Sequence, residues 1–93
     1  MGIPLAEQVR VTVAALMHVT GESQAKVAEV LGVTQGQVSR RQSGGAAWSL
    51  NDCEALARHW GIDALDFLAG PTRACEVLPA ERRTGLARLK EAQ

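Results

Sequence analysis

Two glutamines and one arginine lie within the six residues 35–40, and their side chains can pair with the edges of nucleic-acid bases. A glutamine amide matches adenine, and an arginine guanidinium matches guanine. Gln35 and Arg40 are therefore the strongest candidates for reading bases, and Gln37 is the third. Gly36 has no side chain, which would let the backbone approach a base closely. The alternative for each polar residue is an ordinary solvated side chain.

The residues that carry enzyme chemistry are present only in isolation. His18 and His59 have no cysteine or acidic partner at metal-ligand spacing, and Cys53 and Cys75 have no second pair to complete a zinc site. No serine stands in a nucleophile and base arrangement. We therefore expect no enzymatic activity, no metal and no cofactor. Cys53 is expected to be a small core residue.

The base-reading candidates fall on the second of two short predicted helices. Ser23 can cap a helix over residues 24–31, and Gly32 can end it in a left-handed conformation. Thr34 can then cap a second helix over residues 35–43. Two helices joined by so short a link cross steeply, and in such a pair the second helix can enter the DNA major groove.

These segments resemble a known family. Leu-Gly-Val-Thr at 31–34, Val-Ser-Arg at 38–40 and Gly44 resemble the helix-turn-helix of Cro and lambda repressor, the Xre superfamily. Residues 48–68 are similar to the last two helices of that domain. The order Val-Ser-Arg-Arg, Ser-Gly, Trp-Ser-Leu looks like the variant common in actinobacterial and actinophage regulators. The resemblance covers residues 5–70. It implies an all-α fold, a compact five-helix lambda-repressor-like domain with a C-terminal helical extension.

The resemblance also implies a function. It points to a sequence-specific regulator of double-stranded DNA, a phage-type repressor that inserts the helix at 35–43 into the major groove. In repressors of this family a glutamine at the position of Gln24 holds a phosphate and braces the glutamine at the position of Gln35. Contacts to the DNA backbone are expected from Gln24, Lys26, Thr34, Ser39, Arg41, Ser43, Gly44 and Gly45. Arg10, on the first helix, is a weaker candidate.

Arg41 departs from the family pattern, because many members carry an aliphatic or aromatic residue at this position. One interpretation lays its apolar stem on the core rim and extends its guanidinium to a phosphate, while Trp48 fills the remaining space. The other is a purely structural salt bridge. We favour the phosphate contact.

Apolar spacing predicts three further helices. The first begins after Pro4 and ends at Gly21, the fourth is capped by Ser49, and the fifth is capped by Asp63. The residues expected to face the core from these helices are Leu5, Val9, Val13, Leu16, Leu50, Cys53, Leu56, Ala57, Trp60, Phe67 and Leu68.

The domain is expected to span residues 1–70, because Gly70 and Pro71 should end the fifth helix. Residues 71–93 form the C-terminal extension, in which residues 79–91 have helix-forming composition despite Gly85. This extension is either a dimerisation helix, a lid on the domain or a solvated tail.

The charges are unevenly distributed. Ten basic and ten acidic residues give a net charge of zero, which argues against non-specific coating of nucleic acid. Residues 23–49 are mainly basic, whereas residues 51–67 are mainly acidic. The acidic residues of that second segment are Asp52, Glu54, Asp63 and Asp66.

Two further kinds of partner are expected. A homodimer on paired half-sites is one expectation. The acidic segment supports the alternative function, a helix-turn-helix module that binds a protein and does not read bases, such as an antitoxin or a polymerase-contacting accessory factor. Without a signal peptide or a membrane-spanning run, we expect a cytoplasmic, nucleoid-associated protein with no membrane partner.

Overall fold

Six α-helices and one 3-10 turn make up the computed structural model, which describes residues 2–83 and contains no strand within them. The helices are α1 (Leu5–Thr20), α2 (Gln24–Leu31), α3 (Gln35–Ser43), α4 (Leu50–Trp60), α5 (Ala64–Leu68) and α6 (Pro71–Val77), and the 3-10 turn is Ala80–Arg82. The predicted all-α fold class is confirmed.

Side-chain caps start the central helices where the sequence predicts them. The hydroxyl of Ser23 accepts a hydrogen bond from the backbone N–H of Lys26, at 3.2 Å, at the start of α2. Thr34, Ser49 and Asp63 cap α3, α4 and α5 in the same way. Each cap satisfies a backbone donor that has no partner inside the helix. The predicted starts of these four helices are therefore confirmed.

The core is aliphatic around two aromatic rings. Trp60 of α4 and Phe67 of α5 are fully buried, with ring centroids 6.4 Å apart. The buried apolar residues are Val9, Val13, Leu16, Val27, Ala28, Val38, Cys53, Leu56, Ala57, Trp60, Ile62, Phe67, Ala74 and Leu78. Burial, and then the neighbouring Asp52, raises the pKa of the Cys53 thiol. The thiol therefore stays protonated and unreactive, as expected of a core cysteine.

Two leucines expected in the core lie at the surface. Leu5 is 55% exposed and Leu50 is 69% exposed. Each leucine lies on the apolar stripe of its helix, as predicted. Each is also the first residue of its helix, and it lies beyond the turns that pack against other helices. The helical period predicts the face of a residue and not whether a neighbouring helix extends that far.

A sixth helix follows Pro71, where the sequence predicts only the end of the fifth. Pro71 is the first residue of α6, a position at which its missing N–H costs nothing. The helix packs against α1 and α5 and buries Ala74, and Leu78 is buried just after its end. Most of the helix predicted over 79–91, including Leu86 and Leu89, lies outside the described residues, and its described beginning is the 3-10 turn.

An interhelical cluster ties the end of α1 to the end of α4. The Oε1 atom of Glu22 accepts a hydrogen bond from Nε1 of Trp60 at 3.2 Å and lies 2.8 Å from Nε2 of His59. His59 was expected to be isolated, but its acidic partner is 37 positions away in the chain. Within residues 2–83 no three His, Cys, Asp or Glu side chains are grouped as metal ligands.

Within the part of the chain that the structure describes, none of the helices combines the length and the apolar character needed to cross a bilayer.

Candidate nucleic-acid interface

The outer face of α3 is polar and exposed. Val38, with no exposed surface, anchors the helix to the core. Gly36, Ser39, Arg40 and Ser43 lie on the opposite side, and all four are exposed. This is the face that helical spacing assigned to DNA, and the protein itself does not cover it.

Gln35 and Gln37 have different environments at the start of α3. The Oε1 atom of Gln37 accepts a hydrogen bond from the backbone N–H of Thr34 at 2.9 Å, while the Thr34 hydroxyl accepts from the Gln37 N–H at 3.1 Å. This reciprocal capping box engages the Oε1 atom of the Gln37 amide and leaves the Nε2 atom free. Gln35 is exposed, and within the described structure its side chain makes no hydrogen bond, including none with Gln24.

Packing does not require a glycine at position 36. A methyl group placed there would meet the Thr34 hydroxyl at 3.9 Å, which is ordinary contact. The absence of a side chain therefore leaves open space on the outer face of α3 and not inside the protein.

Ion pairs distinguish the three cations of residues 23–49. Lys26 pairs with Glu29 at 3.2 Å, and Arg41 pairs with Asp52 at 3.3 Å. Within the described residues, Arg40 is the one cation of this segment that has no acidic group within 4.0 Å. Arg40 is thus the cation of α3 whose charge the fold leaves uncompensated.

The guanidinium of Arg41 lies against α4 and the preceding loop. Its side chain is 19% exposed and that of Asp52 is 15% exposed. The guanidinium carbon lies 5.7 Å from the centre of the Trp48 ring, a cation–π distance. The salt bridge weighed as the alternative from the sequence is therefore present, and Trp48 packs beside Arg41 as expected. A phosphate contact by Arg41 stays a prediction.

The loop after α3 uses its amides to close the helix. The N–H of Gly45 donates to the carbonyl of Arg40 at 2.8 Å, and the N–H of Gly44 donates to the carbonyl of Arg41 at 3.3 Å. The Ser43 hydroxyl also donates to the Arg40 carbonyl, at 3.1 Å. These groups were predicted to contact phosphate. In the free protein they satisfy carbonyls that the helix end leaves unpaired.

A cleft of about 360 Å³ opens beside this loop. Glu7 and Arg10 of α1 form one side, and Arg41, Trp48 and the loop at 44–47 form the other. Glu7 is a residue that the sequence interpretation missed, although its spacing of three from Arg10 is typical of an ion pair on one helix.

Most of the acidic residues on α4 and α5 have intramolecular partners. Asp52 caps α4 and pairs with Arg41, and Asp63 caps α5. Asp66 lies 3.0 Å from Arg73 of α6. Glu54 is exposed. The acidic segment therefore serves mainly to hold the helices together, which weakens its support for a protein-binding function.

A family model matches this chain. Neither the curated proteins nor the solved structures contain a match to this chain. The family model named BetR domain matches residues 4–88, which is nearly the whole chain. This supports the helix-turn-helix class inferred from the residues, while the narrower Cro and lambda-repressor type is not among the matches. The chain therefore belongs to the BetR domain family, a family of helix-turn-helix regulatory domains.

Proposed function

We propose that this protein is a sequence-specific, double-stranded DNA-binding transcriptional regulator that acts as a phage-type repressor. The observation that carries the proposal is the outer face of α3, where Gln35 and Arg40 are exposed and, within the described residues, engaged by no other side chain. Membership of a family of regulatory helix-turn-helix domains agrees with this function.

In the proposed complex α3 lies in the major groove with its N-terminal turn at the base edges. Gln35 reads adenine, Arg40 reads guanine, and Gly36 permits close approach. Gln37 contributes through the amide nitrogen that the capping box leaves free. Contacts to the DNA backbone come from Gln24, Lys26, Thr34, Ser39, Arg41, Ser43, Gly44 and Gly45.

Repression follows from occupancy of the promoter. One α3 contacts roughly four to six base pairs, too few to specify a single site in a genome. Two copies on inverted or tandem half-sites would supply the missing specificity. Bound copies would then exclude polymerase from the promoter.

Selection from a random duplex library tests the proposal. We expect one enriched motif, with affinity that falls steeply as salt is added because each phosphate contact releases a counterion. The symmetry of the motif would give the arrangement of the two copies. If no sequence is enriched over random duplex, the proposed function is wrong.

A protein-binding module is the second candidate, and one observation favours it. Leu65 of α5 is 75% exposed, an apolar side chain between Ala64 and the acidic Asp66. Binding to a protein partner in the absence of any enriched DNA motif would establish this alternative, and an enriched motif would reject it.

A further inference from the structure

We propose that the cleft between α1 and the loop at 44–47 is a phosphate-binding site, and that Glu7 occupies it with its own carboxylate in the free protein. Arg10 is the phosphate ligand, and Arg41, which is paired with Asp52, lines the opposite wall. Assignment of the phosphate to DNA rests on the proposed function. The site itself rests on the contacts that Arg10 makes with Glu7 and with the end of α3.

Arg10 is held so that one of its nitrogens can exchange partners. Its Nη1 atom donates to the backbone carbonyl of Gln42 at 3.4 Å, at the end of α3. Its Nη2 atom donates to both carboxylate oxygens of Glu7. A phosphate can therefore replace Glu7 at Nη2 while Nη1 keeps its bond to α3. Only the half-exposed Glu7 side chain has to move.

The electrostatics of the cleft explain why Glu7 has this role. Arginine binds carboxylate and phosphate with the same planar arrangement of donors, so the Glu7 carboxylate marks a position that suits an anionic oxygen. Negative charge at a helix C-terminus is normally unfavourable, but Arg10 covers the Gln42 carbonyl there. Asp52 compensates the charge of Arg41, and Glu7 compensates the charge of Arg10. The cleft therefore becomes basic only when Glu7 withdraws.

Two buried donors of Arg41 strengthen the assignment. Its Nε and Nη1 atoms are shielded from solvent and make no hydrogen bond in the structure, although Nε lies near Asp52. Donors so poorly paired are costly to bury, and the charge of an anion in the adjoining cleft would lower that cost without a direct bond. The cleft adjoins the end of α3, because the loop at 44–47 follows that helix directly.

The glycine at the end of α3 keeps the site open. Gly44 has φ 89°, and a methyl group placed there would lie 3.1 Å from Nη1 of Arg10. Any side chain at this position would therefore be strained and would press on the phosphate ligand.

The test measures duplex affinity by fluorescence anisotropy over a range of NaCl concentrations, on the selected motif and on random duplex. The variants are Glu7→Gln, Arg10→Met and the two combined. Glu54→Gln is the matched control, because it removes the same charge from the exposed surface of α4. Thermal unfolding of each variant confirms that it folds.

We expect Glu7→Gln to bind both duplexes more tightly, by roughly two- to fivefold at low salt, the range for one exposed ion pair. The plot of log affinity against log salt should steepen by about 0.9, the value for one more phosphate contact. Glu54→Gln should change neither quantity, and Arg10→Met should abolish the gain. If Glu7→Gln has no effect on duplex affinity, the inference is overturned. It is also overturned if Glu7→Gln raises the affinity by the same factor when combined with Arg10→Met.

Inorganic phosphate provides an independent measurement that does not need DNA. Trp48 lines the cleft, so its fluorescence should respond to phosphate in Glu7→Gln at constant ionic strength and not in the combined variant. If no duplex is bound but this response saturates, the proposed function fails and the cleft is a site for free phosphate. If neither DNA nor phosphate gives the Arg10-dependent effect, the inference fails, whereas the proposed function fails only if no duplex sequence is enriched.

Discussion

Arg40 and Arg41 are neighbours in the chain but differ in their surroundings, and this difference predicts different effects of substitution. Arg40 has no acidic partner within the described residues, so Arg40→Ala should leave stability unchanged. It should relax base preference at one position of the motif and cost about 1 to 3 kcal/mol on the preferred sequence. Repeating the selection with the variant measures both. Arg58→Ala, which removes an exposed arginine from α4, is the control and should keep the preference intact.

Arg41→Ala should reduce stability as well as affinity. The substitution removes the ion pair with the largely buried Asp52 and the contact with Trp48, and the expected loss is about 1 to 2 kcal/mol in the free energy of unfolding. Urea denaturation of the single variants and of Arg41→Ala combined with Asp52→Asn would isolate the pair. Unchanged stability together with a uniform loss of affinity would instead identify Arg41 as a phosphate ligand with no structural role.

At the scale of single elements, capping residues made most of the fold predictable. Ser23, Thr34 and Ser49 each mark the start of a helix through chemistry that is local in sequence. The sixth helix has no such mark. The N-cap of α6 is Gly70, which has no side chain to cap the helix. The one fully buried residue of α6 is Ala74. The helix therefore depends on packing against α1 and α5.

The turn between α5 and α6 should be more sensitive to substitution than the turn between α2 and α3. Gly70 has φ 120° and ψ 173°, a combination essentially restricted to glycine, and a methyl group there would meet the Gln8 side chain at 3.3 Å. Gly32 has φ 71°, and a methyl group would point into open space. Thermal unfolding should therefore show a larger loss for Gly70→Ala than for Gly32→Ala, which should cost about 1 kcal/mol. Equal losses would show that neither the backbone conformation of Gly70 nor the Gln8 contact adds to the cost.

For the molecule as a whole, the exposed face of the site was predictable and its charge balance was not. Helical spacing is enough to place Arg40 opposite Val38. The partners of Arg10 and Arg41 depend on how helices meet, and the Gln42 carbonyl lies 32 positions from Arg10. The same limit applies to Glu22 and His59, which are 37 positions apart and meet only because the link after α1 lies beside the end of α4.

The position of the domain boundary can be tested by truncation. The sequence places it after residue 70, whereas α6 covers α1 and buries Ala74 and Leu78. A chain ending after residue 70 should be less stable than one ending after residue 83, by at least about 2 kcal/mol for the lost leucine burial. Chemical denaturation of the two chains measures the difference. Equal stability would support the boundary at residue 70.

The capping box of α3 has a consequence for the shape of the operator motif. Because Oε1 of Gln37 is held by the Thr34 N–H, a Gln37 that keeps its cap can offer a base only the donors of Nε2. A lone donor binds the N7 acceptor of adenine and of guanine, and it can equally bind O6 of guanine or O4 of thymine. We therefore expect the position facing Gln37 to tolerate adenine, guanine and thymine, beside positions where Gln35 and Arg40 each select a single base. A strict adenine there in the selected motif would mean that the first turn of α3 releases its cap on binding.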